Sequence, residues 1–168
     1  MFTNPVLRME FNVDIPLNEQ LTRYLDAVFE HIWRSPSQFS TLVPTIPPPP
    51  PVPFLGRVDT ARVLTLGVNP CAGDIELGHF PDRGGSSAMA GLLLGYFGTG
   101  RPGPDGTNLS HGLATWECVL NRLGISYTDG TAAHLFLSPR AVHALDTRDH
   151  YLFREMCRYD APMVLRLL

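Results

Sequence analysis

The stretch Ala61-Arg-Val-Leu-Thr-Leu-Gly67-Val-Asn69-Pro70-Cys71 decides how this chain is read. Val63 to Leu66 is a short, largely apolar run, which predicts a buried β-strand. It breaks at once into Gly-Val-Asn-Pro, which is turn chemistry. In an open α/β sheet, ligands bind at the loops that leave the C-terminal ends of strands. Asn69 brings a donor and an acceptor to such a loop, and Pro70 stiffens its backbone. That suits holding a water or reading a small heterocycle. The same four residues also suffice for a tight strand-to-loop turn without chemistry. Spacing leaves both readings open.

Upstream of the strand, Leu17, Leu21, Leu25, Val28, Phe29 and Ile32 recur with helical period, predicting a helix over 17–33 that Ser35-Pro36 stops. Residues 1–16 read as extended, punctuated by Pro5 and Pro16. Pro47 to Pro51 are consecutive prolines, which favour a polyproline II segment. It is read as a stiff connector lying across the domain, with recognition by a proline-binding partner as the alternative. The division that follows is 1–54 as N-terminal helix and proline-rich connector, and 55–168 as an α/β domain.

Downstream, Ser86 is placed as the cap of a short helix through Leu94. Gly95 to Ser110 is rich in glycine and reads as a long loop, a kind usually functional or disordered. His111 to Leu123 reads as a helix with Leu113, Trp116, Val119, Leu120 and Leu123 on one face and Gly124 just past its end. Asp129-Gly130 is a turn, and Ala132 to Leu137 a second strand. Arg148 to Tyr159 reads as a helix, and Asp160-Ala-Pro162 as the start of another. Alternation of strand, helix and strand with a long crossover predicts that the two strands pair in parallel.

The bulk numbers set limits. The chain has 168 residues and 44% hydrophobic content, enough for one domain with a real core. No run approaches the ~18 apolar residues of a membrane span, and no signal-peptide pattern is evident, so the expected location is cytoplasmic without a membrane partner. The net charge of −3 gives no general attraction to nucleic acid, leaving that role to a local patch. All 13 basic residues are arginine, which is read as codon bias more than function, although arginine suits phosphate contacts. Cys71, Cys118 and Cys157 are scattered and odd in number, against a disulfide framework. Without Cys-x-x-Cys or His-x-x-x-His spacing there is no expected metal site.

Gly67-Val68-Asn69-Pro70, taken with the later run Ser126-Tyr-x-Asp129-Gly-x-Ala-Ala-His134-Leu, resembles the uracil-DNA glycosylase superfamily over roughly residues 55 to 145. Gly67 to Pro70 is similar to that superfamily's first active-site motif in its Gly-Ile-Asn-Pro form. The run from Ser126 is similar to a later strand of the same family. The resemblance implies a three-layer α/β/α fold with a mainly parallel four-stranded sheet. It implies a DNA repair hydrolase that cuts the N-glycosidic bond of uracil or a damaged base in single- or double-stranded DNA, with no cofactor. Some branches hold an iron–sulfur cluster on four cysteines, which three scattered ones exclude here. A catalytically inactive relic, or a nucleotide- or nucleic-acid-binding protein of the same fold, is the alternative.

Base excision needs a flipped base in a pocket, a placed water, a stacking aromatic and donors to the base edge. By the resemblance, Asn69 places the water, with Asp74 or Glu76 as general base. Phe80 stacks on the base, and Gly67, Val68, Pro70, His134 and Ser138 line the site. His134 stands where relatives often carry a base-reading asparagine, and a neutral imidazole cannot both donate and accept at one nitrogen, so a satisfied structural histidine is the favoured reading of it. Asn69, Phe80 and His134 are expected to converge within about 10–12 Å of each other, as a base-sized pocket requires. The family continues past this point with a strand and a histidine-bearing loop. By that likeness the chain reads as C-terminally truncated and weakly active or inactive.

Overall fold

The two predicted strands lie side by side. β2 (Val63–Gly67) and β3 (Ala132–Phe136) pair in parallel, with Val63 opposite Ala132, Thr65 opposite His134 and Gly67 opposite Phe136. The structure, a computed structural model, describes residues 14–43, 50–70, 85–98, 111–142 and 149–168. All five residues of β3 are buried, as befits the central strand of the sheet.

A third strand carries no sequence signal. β1 (Phe54–Leu55) runs antiparallel on the far side of β3, so the sheet in the described residues has the order β1-β3-β2 and is mixed. Pro53 explains why β1 is so short. Leu55 faces His134, and Phe136 N donates to the Pro53 carbonyl at 3.0 Å. The bond that would return from residue 53 to β3 is missing, because proline has no N–H. The backbone then shifts, and Val52 N donates to the carbonyl of Pro139 at 2.7 Å. The described end of the proline-rich segment is therefore fastened along β3. Its earlier residues, 44–49, lie outside the described residues.

α1 (Leu17–Trp33) has the predicted bounds, and Leu21, Tyr24, Leu25 and Val28 make its buried stripe. These side chains share one apolar cluster with Phe54, Leu55, Leu93, Tyr127 and Leu135 of the rest of the fold. α2 (Gly85–Gly95) packs on α1. Ser86, expected to cap α2, lies inside it and donates across to Asp26 Oδ1 at 2.5 Å. Ser37–Leu42 forms a 3-10 helix whose Phe39 and Leu42 meet Val142 and Met156 in a small second core.

Two further expectations need correction. α3 (His111–Asn121) exists, and Gly124 takes a positive φ of 68° beyond it. It is turned differently from the predicted face, however. Leu113 and Leu120 are buried, whereas Trp116, Val119 and Leu123 are exposed. The cause is Glu117, which lies on the inward side and accepts hydrogen bonds from the Ser126 hydroxyl and, at 2.9 Å, from Tyr127 N. At the C-terminal end, α4 (Asp149–Val164) is one continuous helix and does not restart at Asp160. Pro162 sits in its last turn, where only one intrahelical bond is lost, and a 3-10 turn follows at Leu165–Leu167. Among the described residues no helix is long and apolar enough to cross a membrane, and no group of three His, Cys, Asp or Glu is placed to hold a metal ion.

Candidate functional site

Parallel pairing does not stop where the strands end. Leu137 N donates to the Gly67 carbonyl and Ser138 N to the Val68 carbonyl, both at 2.9 Å. The loops 67–70 and 137–140 are thereby zipped together at the C-terminal ends of β2 and β3, the side of such a sheet where ligands bind. Asn69 is half-buried within this zipper. Its Nδ2 donates to the Pro70 carbonyl at 2.9 Å, so its own turn fixes the amide. The nitrogen must face that carbonyl, which leaves Oδ1 as an acceptor to which no described residue donates. Val68 is exposed and Pro70 buried beside it.

Beneath the zipper lies a neutral polar ladder. Thr65 Oγ1 is hydrogen-bonded to the Tyr127 hydroxyl and lies 2.6 Å from His134 Nδ1. Tyr127 is itself placed by Glu117 and by the stacked ring of Phe97, 4.6 Å away. Burial pushes the Tyr127 phenol up to about 12 and the His134 imidazole down to about 4. Both are neutral near pH 7, and either direction of proton donation along the ladder satisfies Thr65. The free edge of the imidazole meets β2 at Gly67. A Cβ added there would fall 2.5 Å from His134 Nε2 and 3.1 Å from Phe136 Cδ1, so only glycine permits this approach.

Beyond the zipper the polar groups are charged. Asp160, fully buried in α4, accepts from Ser138 Oγ at 2.7 Å. Arg140 forks onto the same carboxylate, Nε to Oδ2 at 2.9 Å and Nη2 to Oδ1 at 3.2 Å. His31 Nε2 of α1 lies 3.2 Å from Oδ1 and stacks on Tyr159, and Arg140 Nη1 reaches Ser35 Oγ at 3.0 Å. Burial alone would raise the Asp160 pKa. The hydrogen bonds from His31, Arg140 and Ser138, with the Arg140 charge, outweigh it and hold the carboxyl below its ordinary range.

The structure thus brings together Gly67, Val68, Asn69, Pro70, His134 and Ser138 around one pair of strand ends. Two of them differ from the accessible contacts expected of a ligand site. His134 is buried under Gly67, and the Ser138 hydroxyl is committed to Asp160. Asp74, Glu76 and Phe80 lie outside the described residues, as does Cys71, so the expected convergence of Phe80 with Asn69 and His134 falls there too. Sequence reading misses Thr65, Tyr127, Arg140, His31 and Asp160. Tyr127 alone has a signal, since it stands in the Ser-Tyr-x-Asp-Gly run that carries the resemblance. No family model matches this chain, and no curated protein or solved structure is significantly similar to it.

Proposed function

We propose that this chain is a uracil-DNA glycosylase-like protein that hydrolyses the N-glycosidic bond of uracil or a damaged base in DNA. The observation that supports this most is the Asn69 amide. It stands at the C-terminal end of β2 with its nitrogen tied to Pro70 and its oxygen accepting from no described residue, which suits it to accept from a water. In the reaction that water adds to the anomeric carbon of the deoxyribose as the bond to the base breaks, and the base departs with the bonding electrons. A preset acceptor orients the water without reorganising in the transition state. Asp74 or Glu76 takes the water's proton and Phe80 stacks on the flipped base. The backbone of Gly67, Val68 and Pro70 walls the site, with His134 and Ser138 beneath it. The same reading carries a mainly parallel four-stranded sheet with helices on both faces, of which β2 and β3 are the parallel pair.

A different reading, a non-catalytic binding protein of this fold, is favoured by one observation. The imidazole and carboxylate described beside the loops, His134 and Asp160, are buried and hydrogen-bonded, so neither is free to exchange protons with a substrate.

Release of uracil from labelled single- and double-stranded oligonucleotides separates the two. We expect slow excision that falls by about 10²–10³ in Asn69→Ala, the usual cost of losing one preset polar group. Binding of the uracil-containing strand without excision would favour the binding protein. Absence of both would sink the two together.

A further inference from the structure

We propose that Asp160 is a positioning residue for the Asn69 loop, acting through Ser138. Ser138 faces two ways. Its amide donates to the carbonyl of Val68, the residue before Asn69, and its hydroxyl donates to Asp160. Among the described residues of the loop, Leu137 bonds backbone to Gly67, and Arg140, besides its side-chain bonds to Asp160 and Ser35, donates its amide to Ser138 Oγ at 3.4 Å. The carboxylate is held on its other side by Arg140 and His31, so it is an anchored point and not a mobile surface group. Its side chain is fully buried, and a charge-assisted hydrogen bond from a buried hydroxyl is among the stronger kinds available to a protein. The anchor therefore fixes the height of the 137–140 loop above β3. The two-bond zipper passes that height to residues 67 and 68, and through them to the Asn69 amide.

The physical coupling stands on the hydrogen bonds alone. Its consequence for base excision rests on the reading of Asn69 given above. The test accordingly uses the whole chain without substrate. Amide hydrogen exchange is followed at Leu137 and Ser138, and the Asn69 side-chain amide by NMR, in wild type, Ser138→Ala, Asp160→Asn and Leu113→Ala. Ser138→Ala removes the hydroxyl, both its bond to Asp160 and its acceptance of the Arg140 amide, and leaves the Asp160–Arg140 side-chain pair, so it remains informative even if Asp160→Asn does not fold. Leu113→Ala weakens a buried position of the main apolar cluster, on a helix with no described hydrogen bond to the anchor. We expect Ser138→Ala to speed exchange at Leu137 and Ser138 by about tenfold or more relative to Leu135, the scale of a lost hydrogen bond to a charged group. The Asn69 side-chain amide signals should shift in Ser138→Ala and Asp160→Asn but hold in Leu113→Ala. Unchanged signals in Ser138→Ala would overturn the proposal, as would changes that merely follow global stability as in Leu113→Ala. An inactive chain with the expected exchange pattern would refute the glycosylase reading and leave the coupling intact.

Discussion

Two buried polar groupings flank the end of β3, and they solve the same problem in opposite ways. The Tyr127–Thr65–His134 ladder is neutral: burial has driven the imidazole to shed its proton and the phenol to keep its own. The Asp160 clasp keeps a full negative charge under cover and meets it with a guanidinium fork, a hydroxyl and an imidazole. A neutral ladder loses about one hydrogen bond when broken, whereas a broken ion pair leaves a charge stranded in low dielectric. The pair teaches where this molecule is fragile: on the clasp side, away from the residues that carry the resemblance.

The largest effect should come from stranding that charge. Arg140→Met is expected to cost about 3–5 kcal/mol in urea denaturation at neutral pH, the range for a buried pair robbed of one partner. A loss no larger than that of a single neutral hydrogen bond would break the contrast between the two groupings.

Acid should sharpen it. The His134 pKa is depressed from 6.5 to about 4 on folding, so the unfolded chain binds the extra proton between those values. Stability from this residue is complete above about pH 6.5 and is lost as pH falls toward 4, by about 3 kcal/mol at most. Asp160 is also held below its unfolded value, so its contribution is present above the ordinary carboxylate range and lost only as pH falls through its lower folded pKa. Urea midpoints measured from pH 7 to pH 4.5 should therefore decline in the wild type and decline less in His134→Gln. Parallel profiles would show that His134 is not the group that titrates.

The smallest effect probes the ladder's tightest contact. Gly67→Ala drives a methyl to within 2.5 Å of His134 Nε2 and should cost about 1–3 kcal/mol, as overpacking does. The same change in a His134→Ala background should cost less, because the imidazole is the neighbour it strikes. Equal costs in both backgrounds would place the strain in the β2 backbone instead.

Sequence reading recovers α1 to the residue and the parallel partnership of β2 and β3, because each has a period or run long enough to declare itself. It misses β1, whose two residues carry no pattern and whose length is set by a proline's absent N–H. It mis-turns α3, since Glu117 resembles a surface residue until Ser126 and Tyr127 are folded against it. Asp160 misleads for a similar reason. Asp-Ala-Pro is good helix-start chemistry locally, but the partners that bury Asp160 lie 20, 22 and 129 residues away. Of the candidate site, Gly67 to Pro70 is legible as a strand-end turn. The layer supporting it is not, because a hydrogen bond between remote residues leaves no periodic trace.

That last separation has a consequence for how the chain is assembled. His31 and Asp160 meet across 129 residues, so the clasp closes the longest loop among the described side-chain bonds. During synthesis the imidazole, the Ser138 hydroxyl and the guanidinium all emerge before the carboxylate on which they converge. The strand pair and α1 can be in place while this anion is still missing. Contacts of such high sequence separation are expected to form late on the folding path, and late contacts act mainly by slowing escape from the native state. The clasp would then serve less as a guide to folding than as the bolt drawn once folding is done.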